Sequence, residues 1–167
     1  NRRALDERLE EEVLLAQRTG NPFAVIMMDL DGFKAVNDTY GHAIGDEVLR
    51  TAFTHLAVSM RSGDFLARYG GDELTLLARN TNAEAAGHIS EKILKQIRSF
   101  AYTLIDGTKL SVGITGGIAL HPYHSREGAG LLRAADAALY QAKKHARGTF
   151  IMAQIATGQL DPLALNK

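Results

Sequence analysis

Six apolar residues in succession, Phe23-Ala-Val-Ile-Met-Met28, run without a polar break into Asp29 and Asp31. An uninterrupted run of this length reads as a strand buried on both faces, and such a strand needs neighbours at both edges and covering layers above and below. It belongs at the centre of a sheet. Its carboxylates mark the end where it emerges.

A second acidic stretch lies in Arg61 to Leu77. Phe65, Ala67 and Tyr69 alternate before Gly70-Gly71, and Leu74 and Leu76 alternate after it, which reads as a hairpin whose adjacent glycines supply the positive φ angles of a tight loop. Asp72 and Glu73 are then expected to start the returning strand. Neighbouring carboxylates repel unless water or a cation neutralises them, so the hairpin alone fits both a solvated acidic turn and a cation site. Pairing it with the central strand would bring Asp29 beside Asp72 and Glu73, an all-oxygen cluster suited to magnesium rather than to a softer metal. A calcium loop of the EF-hand type does not fit. Phe33 follows Gly32, and Tyr40 stands where that loop needs its glutamate.

The remaining elements follow from periodicity. Leu5, Leu9, Val13 and Ala16 give Arg2 to Arg18 one apolar helical face, ended by Gly20-Asn21-Pro22. Asp31-Gly32-Phe33-Lys34 reads as a short loop opening a helical turn, either as a plain connection or with its N–H groups offered to phosphate oxygens. Asn37 to His42 reads as a polar loop. Gly45-Asp46 leads into a helix burying Val48, Leu49, Ala52, Phe53 and Leu56, with Asp46 placed as a cap or first-turn acid. Ala85, Ile89, Ile93 and Ile97 mark a helix over 83–100. A second hairpin is expected from Ala101–Ile105, Asp106-Gly107 and Leu110–Leu120, with Gly113, Gly116 and Gly117 marking a bulge or a close approach. His121 and His124 lack further clustered ligands, which favours a simple loop over a metal site. The last helix, Gly128 to Arg147, should bury Leu132, Ala135, Leu139 and Ala142. Lys143 and Arg147 then share a face one turn apart, able either to meet one polyphosphate or to complement the helix dipole in water. Thr149–Ala153 reads as an edge strand, and 154–167 as a tail or linker.

The 167 residues suit one domain, taken as 1–153 before the tail. Formal net charge is zero, which gives no support to coating a nucleic-acid polymer, so any phosphate must be met by local groups. The chain has no cysteine, which excludes disulfides and thiolate metal sites. No apolar run approaches the roughly 18 residues of a membrane span, so this stretch is expected to make no membrane contact. Helices alternating with strands and hairpins indicate an α/β (α+β) sandwich, with helices packed on a sheet that contains antiparallel strands.

Six stretches together carry a family resemblance: Asn1-Arg-Arg, Asp29-Leu-Asp-Gly-Phe-Lys34, Asn37-Asp-Thr-Tyr-Gly-His-Ala-Ile-Gly-Asp46, Arg61-Ser-Gly-Asp64, Arg68-Tyr-Gly-Gly-Asp-Glu73 and Ala138-Leu-Tyr-Gln-Ala-Lys143. Over about Asn1 to Gly148 the chain resembles a GGDEF domain, the diguanylate cyclase family. Leu74 stands where the family usually has Phe; by alternation it points away from Glu73 and should change packing rather than chemistry. In place of the family's Gly-Arg-Asn the chain has Ala146-Arg-Gly148.

The resemblance implies a ferredoxin-like βαββαβ core, mostly antiparallel, similar to nucleotide cyclase and polymerase palms. It implies condensation of two GTP into cyclic di-GMP and two pyrophosphates, one GTP per domain, at a homodimer interface. Magnesium, with two ions per site or manganese instead as further options, would be held by Asp29, Asp72 and the Leu30 carbonyl. Asp72, Glu73 and Lys34 would be catalytic. Gly32, Phe33, Asn37, His42, Asp46, Lys143 and Arg147 would bind GTP, with Asn37 and Asp46 reading guanine. Arg61 and Asp64 match the family's RxxD site, at which cyclic di-GMP inhibits as product. The resemblance further implies a cytoplasmic piece of a larger regulatory protein, whose other parts could be membrane-anchored. Two other readings stand beside it: a catalytically silent GGDEF-type module that senses GTP or cyclic di-GMP, and an interaction domain without nucleotide.

Overall fold

In the computed structural model, which describes residues 1–155, the apolar run is the middle strand of a five-stranded sheet. The elements in chain order are α1 (Arg2–Thr19), β1 (Phe23–Asp31), α2 (Phe33–Tyr40), α3 (His42–Ala57), β2 (Phe65–Gly70), β3 (Glu73–Ala78), α4 (Ala83–Arg98), β4 (Tyr102–Thr103), β5 (Lys109–Leu110), β6 (Gly113–His121), α5 (Gly128–His145) and β7 (Phe150–Met152). The sheet runs β2-β3-β1-β6-β7. Its β1–β3, β1–β6 and β2–β3 pairs are antiparallel, and only β7 joins in parallel. Without β7 this is the expected ferredoxin-like order. The residues beyond 155, most of the expected tail, lie outside the description.

Alternation along β1 divides the core in two. Ala24, Ile26, Met28 and Leu30 face one cluster, shared with α3 and α4, while Phe23, Val25 and Met27 face another, built with α1 and α5. Each fully buried large apolar side chain contributes on the order of 1.5–3 kcal/mol, so this strand anchors both layers. The parity carries past the apolar run: Asp29 and Asp31 fall on the α1/α5 side.

Local signals explain most of the boundaries. Asn1 caps α1 by accepting from the Ala4 N–H at 2.9 Å, and Gly20 ends it in the left-handed region with φ 76°. Leu74 is fully buried, so the departure from the family signature is a packing change. Gly116 and Gly117 mark close approach and no bulge. A Cβ at Gly117 would run into the main chain of α5 at Ala135 and Leu139, and one at Gly116 into the Phe150 ring.

Several expectations need correction. Asn37 to Tyr40 is the second half of α2 rather than loop, because Val36 packs inward and the polar residues simply cover the outer face. The expected strand Leu110–Leu120 is two: β5 pairs with β4 in a small separate sheet, and β6 starts at Gly113. The buried face of α4 is Ala83, Ala86, Ser90, Ile93 and Ile97, so Ala85 and Ile89 lie at its margin. Leu131 and Ala138, not Leu132, join Ala135, Leu139 and Ala142 on the buried face of α5. The acid Glu12, on the otherwise apolar face of α1, is buried; Arg79 grips it at 2.6–3.1 Å and Arg8 at 3.2 Å, which offsets the cost of desolvating its charge. Among the described residues no helix is long and apolar enough to cross a membrane.

Candidate active site

The ends of β1 and β3 bring the acidic stretches together. Asp29 stands directly opposite Glu73 in the ladder, and the Leu30 N–H donates to the Asp72 carbonyl at 3.2 Å. Asp29 is only 6% exposed. The hairpin tip differs from expectation by one residue. Gly70 pairs with Glu73, leaving Gly71-Asp72 as the two-residue loop, and of the two glycines only Gly71 has positive φ, at 44°. Asp72 therefore sits in the turn itself and only Glu73 begins the strand. A register shift between Arg68 and Gly70 accompanies this, and Arg68 Nε donates to the Gly71 carbonyl at 2.9 Å, bracing the tip. Partial burial raises the pKa of Glu73, and the nearby charges of Asp136 and Asp72 push it the same way.

Two cations reach this end of the sheet from α5 and the chain beyond it. Lys143 forms an ion pair with Asp29 Oδ2, and Arg147 Nη1 donates to Asp31 Oδ1 at 3.1 Å. Arg147 does not share the helix with Lys143, since α5 ends at His145. The two arrive instead at carboxylates two residues apart on one face of β1. Burial lowers the pKa of Lys143, and the positive charge of Arg147 adds to the effect.

On the other side of the β1 exit, Gly32 with φ 81° precedes α2. Phe33 is buried beneath the first turn, and Lys34 is exposed. Asn37 lies on α2, facing α3 at Gly45. A Cβ at Gly45 would overlap Asn37 Oδ1, an atom that is buried and has no hydrogen-bond partner among the described residues. His42 opens α3 and is exposed, as is Asp46. Asp46 is no cap. It is the fifth residue of a helix whose cap position is Gly41, so its carboxylate is not spent on the helix terminus.

The donor set can be tested against magnesium. Among the described residues no three His, Cys, Asp or Glu side chains gather into a metal cage. Magnesium does not need one, being commonly held by one or two carboxylates with water and substrate phosphates completing its shell. Asp29 Oδ1 is buried with no hydrogen-bond partner among the described residues, an acceptor still available to a cation. Asp29, Asp72 and a main-chain carbonyl are all hard oxygen donors, so the residues fit the ion.

Arg61 and Asp64 lie at the opposite end of β2 from the tip. Arg61 holds Asp64 through Nε and Nη2 at 3.2 and 3.1 Å, and Nη2 also reaches the Arg79 carbonyl and the Thr81 hydroxyl. They border a cleft of about 280 Å³ whose other walls include Met60, His88, Ile89 and Lys92. His124 accepts from the Leu120 N–H through Nδ1 at 2.8 Å, in keeping with a structural loop. Sequence reasoning missed Gly45, Thr115 and the partnership of Asp31 with Arg147. Each depends on a contact between distant segments, and no local pattern marks it.

Among known proteins, the family model described as "Diguanylate cyclase, GGDEF domain" matches residues 1–149. Over 150 residues the chain is 40% identical to MucR of Pseudomonas aeruginosa, a bifunctional diguanylate cyclase/cyclic di-GMP phosphodiesterase, with 90% of this chain and 22% of MucR covered. It is 34% identical to the diguanylate cyclase DosC of Escherichia coli K12, over 88% of this chain and 32% of that protein. The chain thus spans a third or less of the length of these curated relatives. Among solved structures, the GGDEF domain of PA1120 (YfiN or TpbB) from Pseudomonas aeruginosa superimposes with a TM-score of 0.87 at 36% identity, covering 93% of this chain and 96% of that one.

Proposed function

The chain belongs to the GGDEF diguanylate cyclase family, and from that membership we propose that it joins two GTP molecules into cyclic di-GMP and releases two pyrophosphates. The observation that carries the reading is the placement of Asp29 opposite Glu73 with Leu30 bonded to Asp72, which assembles three carboxylates at one sheet end. Asp29, Asp72 and the Leu30 carbonyl would hold Mg²⁺, which when bound supplies polarisation of the α-phosphate and acidifies the attacking 3′-hydroxyl. Asp72, in the turn rather than in the ladder, accepts the hydroxyl proton. Glu73, its pKa raised, stands beside it as the second acid.

Asn37 and Asp46 hold the guanine edge, and His42 adds a contact. A carboxylate can accept from both the N1–H and the amino group of guanine, whereas adenine offers no such pair of donors. The N–H groups of Gly32 and Phe33 with Lys34 face the phosphates. Lys143 and Arg147 offer the N–H groups that Asp29 and Asp31 do not engage to the β and γ oxygens, which is how a chain of zero formal charge binds a polyanion. Each domain carries one nucleotide, so the two strands of chemistry meet only when two copies face each other. Cyclic di-GMP acts back at Arg61 and Asp64.

A second reading, a silent module that senses GTP or cyclic di-GMP, has in its favour that two of the three phosphate-facing cations, Lys143 and Arg147, are already engaged by carboxylates. Incubating the protein with Mg²⁺ and GTP and separating products by chromatography decides between them. Cyclic di-GMP and pyrophosphate in a 1:2 ratio, with specific activity rising with protein concentration, is the expected result; binding without product would establish the sensor.

A further inference from the structure

Both carboxylate oxygens of Asp31 are engaged, one by the chain that leaves α5 and one by β6. Oδ1 accepts from Arg147, as described, and Oδ2 accepts from the Thr115 hydroxyl at 2.6 Å, a short charge-assisted bond. The same Thr115 oxygen accepts the N–H of Gly148 at 2.9 Å. Thr115 is fully buried on β6, where it stands opposite Asp29 in the ladder. One residue further, the Gly116 N–H donates to the Thr149 carbonyl at 2.9 Å. Gly113, opposite Asp31, leaves room for this arrangement, since a Cβ there would come within 3.2 Å of the Asp31 side chain.

An exposed arginine paired with a carboxylate contributes little to stability, and Arg147 is 61% exposed. The ion pair with Asp31 therefore does little for the fold. It orients the arginine. The main chain at Gly148 is pinned to β6 and one end of the Arg147 fork to β1, while the side chain stays largely exposed and its charge is felt at Lys143. A fork held in advance loses less side-chain freedom when an anion arrives.

We propose that Thr115 and Asp31 are positioning residues that fix Arg147 for the outer phosphates of the bound nucleotide. The inference rests on the cyclase reading for the identity of that nucleotide. It assigns to the second carboxylate of Asp29-Leu-Asp31 a role separate from holding a metal. It also explains how Arg147 keeps its place although it lies beyond the helix end and the residues around it depart from the family pattern.

The test compares binding of the α,β-methylene analogue of GTP, which cannot react at the α–β link, with binding of GMP, which lacks the outer phosphates. Thr115→Val removes the hydroxyl without altering charge or much volume. It should weaken the analogue about fivefold, the worth of one net hydrogen bond, and leave GMP unchanged; Thr115→Ser should bind both like the wild type. In an Arg147→Met background, Thr115→Val should cause no further loss. Exchange of the Gly148 amide hydrogen should quicken in Thr115→Val. If Thr115→Val does not fold, Asp31→Asn is compared in the same two backgrounds, and a loss confined to the chain that has Arg147 is expected. Equal weakening of analogue and GMP, undiminished analogue binding, a loss as large without Arg147, or an unchanged Gly148 exchange rate would each overturn the assignment. A wild-type protein that binds no triphosphate would overturn the cyclase reading and this inference with it, and that failure is seen before any variant is made.

Discussion

The bare Cα of Gly45 on α3 packs against Asn37 Oδ1 on α2, leaving no room for even a methyl group between them. The contact lies between the two helices that carry the proposed base-reading groups. Gly45→Ala should turn Asn37 out of place, costing about 1–3 kcal/mol in stability as an overpacked site does. GTP affinity should fall about tenfold, equivalent to ~1.4 kcal/mol. Titration of GTP with thermal melts of both proteins checks it; unchanged GTP affinity in a folded Gly45→Ala protein would remove Asn37 from the site.

Asp72→Asn should abolish cyclic di-GMP synthesis while leaving the fold intact. The side chain belongs to a turn and not to the ladder, so the change removes a charge and almost no volume. A positioned proton acceptor contributes on the order of 10²–10⁴-fold, and loss of a magnesium ligand adds to that. The measurement is initial rate against Mg²⁺ concentration, with circular dichroism as the fold control. Wild-type turnover with the same magnesium dependence would refute the assignment.

These two substitutions mark the boundary of what the sequence could reveal. Asp29 was placed beside Asp72 and Glu73 from the chain alone because an unbroken apolar run admits one position in a sheet and a glycine pair admits few turns. The helix holding Asn37 was not legible: α2 is short, buries little beyond Phe33 and Val36, and shows a polar surface like that of a loop. The length of α3 was hidden for the same reason, and with it the fact that Asp46 lies inside the helix. Arg147 reads as the partner of Lys143 on one helix face, whereas Asp31 on β1 pairs with it and Thr115 on β6 bonds that aspartate and the neighbouring Gly148. Contacts of that kind are set by the tertiary fold, which periodicity does not encode.

Stability should depend on pH through His121. Its ring is buried and stacked on Phe23 with centroids 5.2 Å apart, and burial, assisted by the charge of Arg126, lowers its pKa from the usual value near 6.5. The folded protein therefore resists a proton that the unfolded chain accepts. Stability from this residue is fully present above about pH 6.5 and is lost as pH falls from there towards the lowered folded value. Denaturant midpoints at pH 7.5 and 5.5 should differ more for the wild type than for His121→Phe, which keeps the stacked ring and cannot titrate. Parallel pH profiles would show that His121 has no part in the acid response.

Arg61→Ala should leave the initial rate near wild type and relieve inhibition by the product. Arg61 lies just before β2 and the Gly71-Asp72 turn follows its other end, so a ligand held at Arg61 is linked to that turn through the strand without occupying it. The guanidinium is already aligned: Asp64 orients it through two bonds, and the Arg79 carbonyl and Thr81 hydroxyl hold its far nitrogen. A planar fork so fixed suits a phosphate or the edge of guanine, and the adjacent cleft of about 280 Å³ offers apolar wall for a base. The same loop is tied to α1, where Arg8 donates to the Gly63 carbonyl at 3.1 Å while also pairing with the buried Glu12. Clamping cyclic di-GMP there can restrain β2 or join two domains in a pose that keeps their nucleotides apart, and either gives non-competitive inhibition. Progress curves at saturating GTP separate the outcomes. The wild type should slow as product accumulates, and Arg61→Ala should continue to substrate exhaustion; a variant curve that levels at the same product concentration would place the inhibitory contact elsewhere.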